Sequence, residues 1–63
     1  MQNKNAKQHV QDVVIGLQNA QNCLNSALGS VEKPENRQAI QGTLDAVNGA
    51  LTNANTTISN YKG

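Results

Sequence analysis

The sequence predicts an all-α fold, a two-helix antiparallel hairpin, and three observations carry that prediction. Apolar residues recur at alternating steps of four and three in both halves of the chain, which is the spacing of the buried stripe in a coiled coil. The segment GSVEKPENR, residues 29–37, breaks the pattern between the two halves. The chain has 63 residues, enough for one small domain, so we assign residues 1–63 to a single helical hairpin.

The first helix is predicted over about residues 4–31. Its apolar stripe, which we name the first seam, consists of Val10, Val14, Leu17, Gln21, Leu24, Leu28 and Val31. Small or β-branched residues follow the seam at seven-residue spacing: Ala6, Val13, Ala20 and Ala27. The outer positions carry Asn and Gln where charged residues are usual, so the helix is Asn/Gln-rich and its exterior is polar without charge pairs. Such a helix depends on packing for its stability.

A short connection is predicted at about residues 32–33 and a second helix over about residues 34–60. Gly29 is a possible helix stop, but Val31 continues the seam, so the first helix is expected to run past Gly29. Pro34 suits a first helical turn, and Glu35 is favourable at the positive end of the helix dipole. The second seam consists of Ile40, Leu44, Val47, Leu51, Ala54, Ile58 and Tyr61. Its flanking residues are Thr43, Ala50 and Thr57, with Ala39 and Ala46 widening the stripe.

The small size of the chain predicts self-association. A core in a chain this short rarely supplies more than about 3–5 kcal/mol of net stability, and Phe and Trp are absent. Cys23 is the only cysteine, which excludes a disulfide within the chain. It lies fourteen residues from His9, which is about 21 Å along one helix, so the two side chains are too far apart to bind one metal ion. We therefore expect a homodimer or higher homo-oligomer, with two hairpins forming an antiparallel four-helix bundle.

The sequence argues against several classes of function. It has no phosphate-binding loop, no close pair of carboxylates on one helix face and no Ser/His/Asp grouping, so a non-enzymatic protein without cofactor or metal is expected. A net charge of +1 with scattered Lys and Arg gives no basic stripe for nucleic acid. The longest apolar run is three residues, which predicts no membrane span, and no secretory signal is apparent. A cytoplasmic location is the default expectation.

Five residues have two readings each. Gln21 is either a register device, pairing with another amide across the helices, or a seam residue at an open edge that reaches water. Cys23 either acts as a redox switch or forms an intersubunit disulfide, or it is simply a small, semi-buried residue; no basic residue stands within one turn to activate it. His9 is either a pH or metal sensor or an exposed residue of the first turn. Ile15 is either a docking contact or an isolated exposed aliphatic residue. Tyr61 either closes the core or belongs to a terminal recognition tag.

At LQNAQNCL, residues 17–24, the chain resembles a family of short proteins of unknown function from endospore-forming bacteria. The resemblance rests on Leu17, Ala20, Gln21 and Leu24, on a second amide-rich helix and on the terminal Tyr61-Lys62-Gly63. It implies a helical hairpin, an association with sporulation and no known activity. Family members carry an acidic, proline-containing stretch before the terminal tripeptide, where this chain has residues 57–60, Thr-Ile-Ser-Asn.

The leading hypothesis is a non-enzymatic hairpin with a structural or self-assembly role, associated with sporulation if the resemblance holds. The residues predicted to form the interface are Val10, Val14, Leu17, Gln21, Leu24, Leu28, Ile40, Leu44, Val47, Leu51, Ile58 and Tyr61. The alternative is an adaptor that docks the same stripe on an unidentified protein partner. A third hypothesis is a thiol-dependent regulator that acts through Cys23.

Overall fold

The computed structural model describes residues 5–62, which form two α-helices and no strand, α1 (Ala6–Ser30) and α2 (Pro34–Ser59). The side chain of Arg37 is hydrogen-bonded to the carbonyl group of Leu28 near the connection. Further along the helices, the side chain of Gln21 is hydrogen-bonded to that of Asn48. The two helices therefore lie side by side and antiparallel. The predicted two-helix hairpin is therefore confirmed. The predicted start of the first helix, Lys4, lies outside the described residues.

A capping box fixes the first turn of α1. The side chain of Asn5 accepts a hydrogen bond from the backbone N–H of Gln8 at 2.8 Å, and the side chain of Gln8 accepts one from the backbone N–H of Asn5 at 3.0 Å. Each bond satisfies a donor that the first turn of a helix leaves free. The pattern Asn-x-x-Gln is the sequence signal for this cap.

Arg37, in the first turns of α2, holds the C-terminal end of α1. Its guanidinium donates to the carbonyl oxygen of Leu28 at 3.1 Å and to that of Val31 at 3.0 Å. The last carbonyl groups of a helix have no partner within the helix, and a cation there also interacts favourably with the helix dipole. One side chain therefore satisfies the end of α1 and joins it to α2 across the connection.

We expect Arg37→Ala to lower the free energy of unfolding by about 1–2 kcal/mol, because two carbonyl groups lose their donor. Urea titration followed by circular dichroism measures the change at a fixed protein concentration. Arg37→Lys is the matched variant: it keeps the charge but lacks the planar fork that reaches both oxygens, so it should recover only part of the loss. Equal unfolding midpoints for the wild type and Arg37→Ala would contradict this role.

The observed helix bounds lie within about one residue of the expected ones at the connection and at the end of α2. α1 runs through Gly29 and ends at Ser30, with the N–H of Val31 donating to the carbonyl of Ala27 at 2.9 Å. Pro34 occupies the first turn of α2. α2 ends at Ser59, so Tyr61 lies beyond the helix and its N–H donates to the carbonyl of Ile58 at 3.2 Å.

The hairpin is a single layer with little interior of its own. Among residues 5–62, two helices pack side by side and no third element covers either side of the pair. Leu44, at 7% exposed, is the only buried side chain among residues 5–62. A domain core normally forms between two packed layers, so one hairpin supplies half of that arrangement.

Two glycines in the middle of α2 weaken the helix without a packing reason. A Cβ atom at Gly42 or Gly49 would meet no atom within 4 Å. Glycine in a helix interior costs about 1 kcal/mol relative to alanine, mainly through backbone entropy. Nothing in the described hairpin requires this cost.

We expect Gly42→Ala combined with Gly49→Ala to raise the free energy of unfolding by about 1.5–2 kcal/mol. Urea titration followed by circular dichroism is again the measurement. Ala46→Gly, between the two positions, is the reverse control and should lower the stability by about 1 kcal/mol. A destabilised double variant would show that these glycines are needed for a contact with another molecule.

Candidate interaction surface

The two seams face each other across the hairpin but remain partly open to water. Every residue of the first seam is half-buried, and so is every residue of the second seam except Leu44, which is buried, and Tyr61, which is 36% exposed. Two helices alone cannot cover a stripe of this width, because each contacts its neighbour from one side only. The seam residues of the predicted interface therefore lie together, and part of their apolar surface remains exposed to water.

Gln21 has a defined partner within the chain. Its side-chain amide donates to the side-chain oxygen of Asn48 on α2 at 2.7 Å. Gln21 is half-buried and Asn48 is exposed, so the bond lies at the edge of the seam. The bond joins residues 27 positions apart, one on each helix. It forms only when the two helices are aligned so that these residues stand opposite each other. Asn48 is an amide partner of the kind that the register hypothesis requires, and the exposed position of the bond is what the open-edge reading expects.

Two sets of residues repeat every seven positions on either side of the seams. One set stands one position before a seam residue and is apolar or small; we name it the small-residue face. It consists of Val13, Ala20 and Ala27 on α1 and Thr43, Ala50 and Thr57 on α2. The other set stands one position after a seam residue, and we name it the amide face. It consists of Gln11, Gln18 and Asn25 on α1 and Gln41, Asn48 and Asn55 on α2.

The two faces lie on opposite sides of the layer. Antiparallel helices side by side are related by an approximate twofold axis normal to the layer, and this axis keeps equivalent columns of α1 and α2 on the same side. Successive residues are separated by about 100° around a helix, so columns before and after the seam point to opposite sides. One side of the hairpin therefore presents short apolar groups, and the other presents side-chain amides.

The threonines of the small-residue face have their hydroxyl groups satisfied within α2. The hydroxyl of Thr43 donates to the carbonyl of Ala39 at 3.2 Å, and that of Thr57 donates to the carbonyl of Asn53 at 3.0 Å. With the hydroxyl turned back to the helix, each side chain can offer its methyl group for packing. The small-residue face therefore needs no polar partner.

The other candidate residues are not brought together into a site. Cys23 is exposed and unpaired by disulfide, and His9 is exposed. Ile15 is 56% exposed on the outer side of α1. Residues 5–62 contain no group of three or more His, Cys, Asp or Glu side chains that could hold a metal ion. Neither of the two described helices combines the length and apolar character needed to cross a bilayer.

A shallow depression lies over the first turns of α2. Its lining residues are Pro34, Glu35, Arg37, Gln38 and Gln41. All of them belong to one helix, so the depression has no opposing wall that would enclose a ligand. It offers no catalytic arrangement.

Sequence reasoning missed Asn48, Arg37 and the amide face. The amide face has a sequence signal, the same seven-residue spacing that reveals the small residues. Arg37 and Asn48 have none that a single sequence displays, because their partners depend on how the two helices are aligned. Comparison of the chain with protein-family models, curated proteins and solved structures gives no match.

Proposed function

We propose that this chain is a non-enzymatic self-assembling protein, in which two hairpins pair into an antiparallel four-helix bundle with a structural role in the cytoplasm. The observation that carries the proposal is the half-buried state of both seams in a chain whose described residues include one buried side chain, Leu44. Covering the remaining apolar surface is the main favourable term available to so small a chain. A second layer of helices supplies that cover.

Sedimentation equilibrium over a hundredfold range of protein concentration, with circular dichroism at each concentration, tests the proposal. Linked loss of helicity and mass on dilution is the expected result, because folding and association then share one free energy. A helical monomer at every concentration would contradict self-assembly. A largely unfolded monomer would favour the adaptor hypothesis, in which the seams belong to a complex with a different protein.

The support for a role in sporulation is the resemblance to short hairpin proteins of endospore-forming bacteria. Production of the chain during spore development, measured against vegetative growth, tests this part of the proposal. Production restricted to vegetative cells would remove it and leave the self-assembly proposal intact.

A further inference from the structure

The side of the hairpin that a second copy covers can be inferred from the two faces, and this inference rests on the proposed self-association. We propose that the small-residue face packs against the same face of a second copy of this chain, while the amide face stays in water. The contact would be isologous, with each copy contributing the same surface around a twofold axis.

The hairpin exposes more surface than a compact chain of its mass. Its accessible surface is 4657 Å². A compact monomer of 6.7 kDa is expected to expose about 3,900 Å², so the hairpin exposes roughly 750 Å² more than its mass requires. A standard protein interface buries about 800 Å² on each partner. A compact dimer of twice this mass would expose about 6,500 Å², roughly 2,800 Å² less than two separate hairpins, so pairing has more surface available to bury than a standard interface needs.

The chemistry of the two faces decides which one is covered. The small-residue face carries no Asp, Glu, Lys or Arg and has its threonine hydroxyls satisfied internally, so burying it leaves no polar group of Thr43 or Thr57 without a partner. Burying the amide face would desolvate six amides. Short side chains also allow two helical layers to approach closely.

A second copy suits this face better than an unrelated protein would. The same seven-residue column of short side chains stands on both helices, so an isologous contact would bring short, uncharged side chains of the two copies together along both helices. The net charge of the chain is +1, and no like charges would be brought together at the centre of the contact. Val13, 51% exposed in the single hairpin, would gain the cover that it lacks.

Two matched pairs of substitutions test the assignment. Val13→Glu with Ala50→Glu adds one charge per helix to the small-residue face, and Gln18→Glu with Asn55→Glu adds the same charges to the opposite face. All four positions are exposed in the single hairpin, so the hairpin itself can accommodate either pair. In sedimentation equilibrium, the first pair should raise the dimer dissociation constant by about a hundredfold or more, since unpaired charges would be buried. The second pair should change it by less than about threefold.

A second measurement separates the assignment from any failure to fold. In a Cys23→Ser background, the thiols introduced by Ala50→Cys and by Asn55→Cys are each exposed in a single hairpin, and their alkylation rates are compared on the assembled protein. Protection of the first thiol and not of the second is expected. Equal rates, or weaker association only in the Gln18→Glu/Asn55→Glu pair, would overturn the assignment of the face. A wild-type chain that stays monomeric would overturn the proposed function itself.

Discussion

Aspartate in place of Leu24 is expected to abolish both the helicity of the chain and its association. Leu24 is half-buried in the first seam, so the substitution removes apolar contact and places an unpaired carboxylate against α2. Because Leu24 is half-buried, losing its contact within the hairpin costs about 1–1.5 kcal/mol, and desolvating the carboxylate adds to this. A chain of this size has about 3–5 kcal/mol of stability to lose. Circular dichroism and sedimentation equilibrium on the same samples measure both effects.

Ile15→Asp is the matched control, because it makes the same kind of change at an exposed position of the same helix. Ile15 is 56% exposed, so its replacement should leave helicity and assembly size close to those of the wild type. Leu51→Asp tests the second seam in the same way. Unchanged helicity and assembly in both seam variants would disprove the interface assignment.

Leu44→Ala is expected to lower the free energy of unfolding by about 2–3 kcal/mol. Leu44 is 7% exposed, and removing its side chain both forfeits transfer energy and leaves a cavity. The value lies at the lower end for leucine because the surrounding half-buried residues can move into the space. Thermal unfolding at several protein concentrations measures the loss.

The control for Leu44→Ala is Ile15→Ala at the same protein concentrations, since a 56% exposed side chain on the outer side of α1 should contribute little. A fall of less than about 1 kcal/mol for Leu44→Ala would show that the side chain is less enclosed than its exposure indicates.

The heptad pattern predicted the pairing of the helices because burial in a two-helix layer depends mainly on helical spacing. Val10, Leu17 and Val47 are each half-buried at the positions that the pattern assigned to a seam. The pattern failed at Tyr61, where α2 had already ended at Ser59 and helical spacing no longer applied.

The polar links between the helices could not be predicted from the sequence. The bond from Gln21 to Asn48 requires knowledge of which residues stand opposite each other, and spacing along one helix does not provide it. Arg37 reaches backward over the connection to carbonyl groups that every helix end leaves unpaired, and other polar residues nearby are equally plausible donors from sequence alone. These contacts emerge from the alignment of α1 with α2.

Under the proposed association, the one-layer architecture would make the folded state of this chain depend on how much of it a cell contains. The hairpin would gain its second layer only when it meets another copy, so the folded fraction would rise with protein abundance. Newly made chains at low abundance would remain open to proteolysis, and accumulated chains would be protected. Expression level would then act as the control of assembly, with no ligand or covalent modification required.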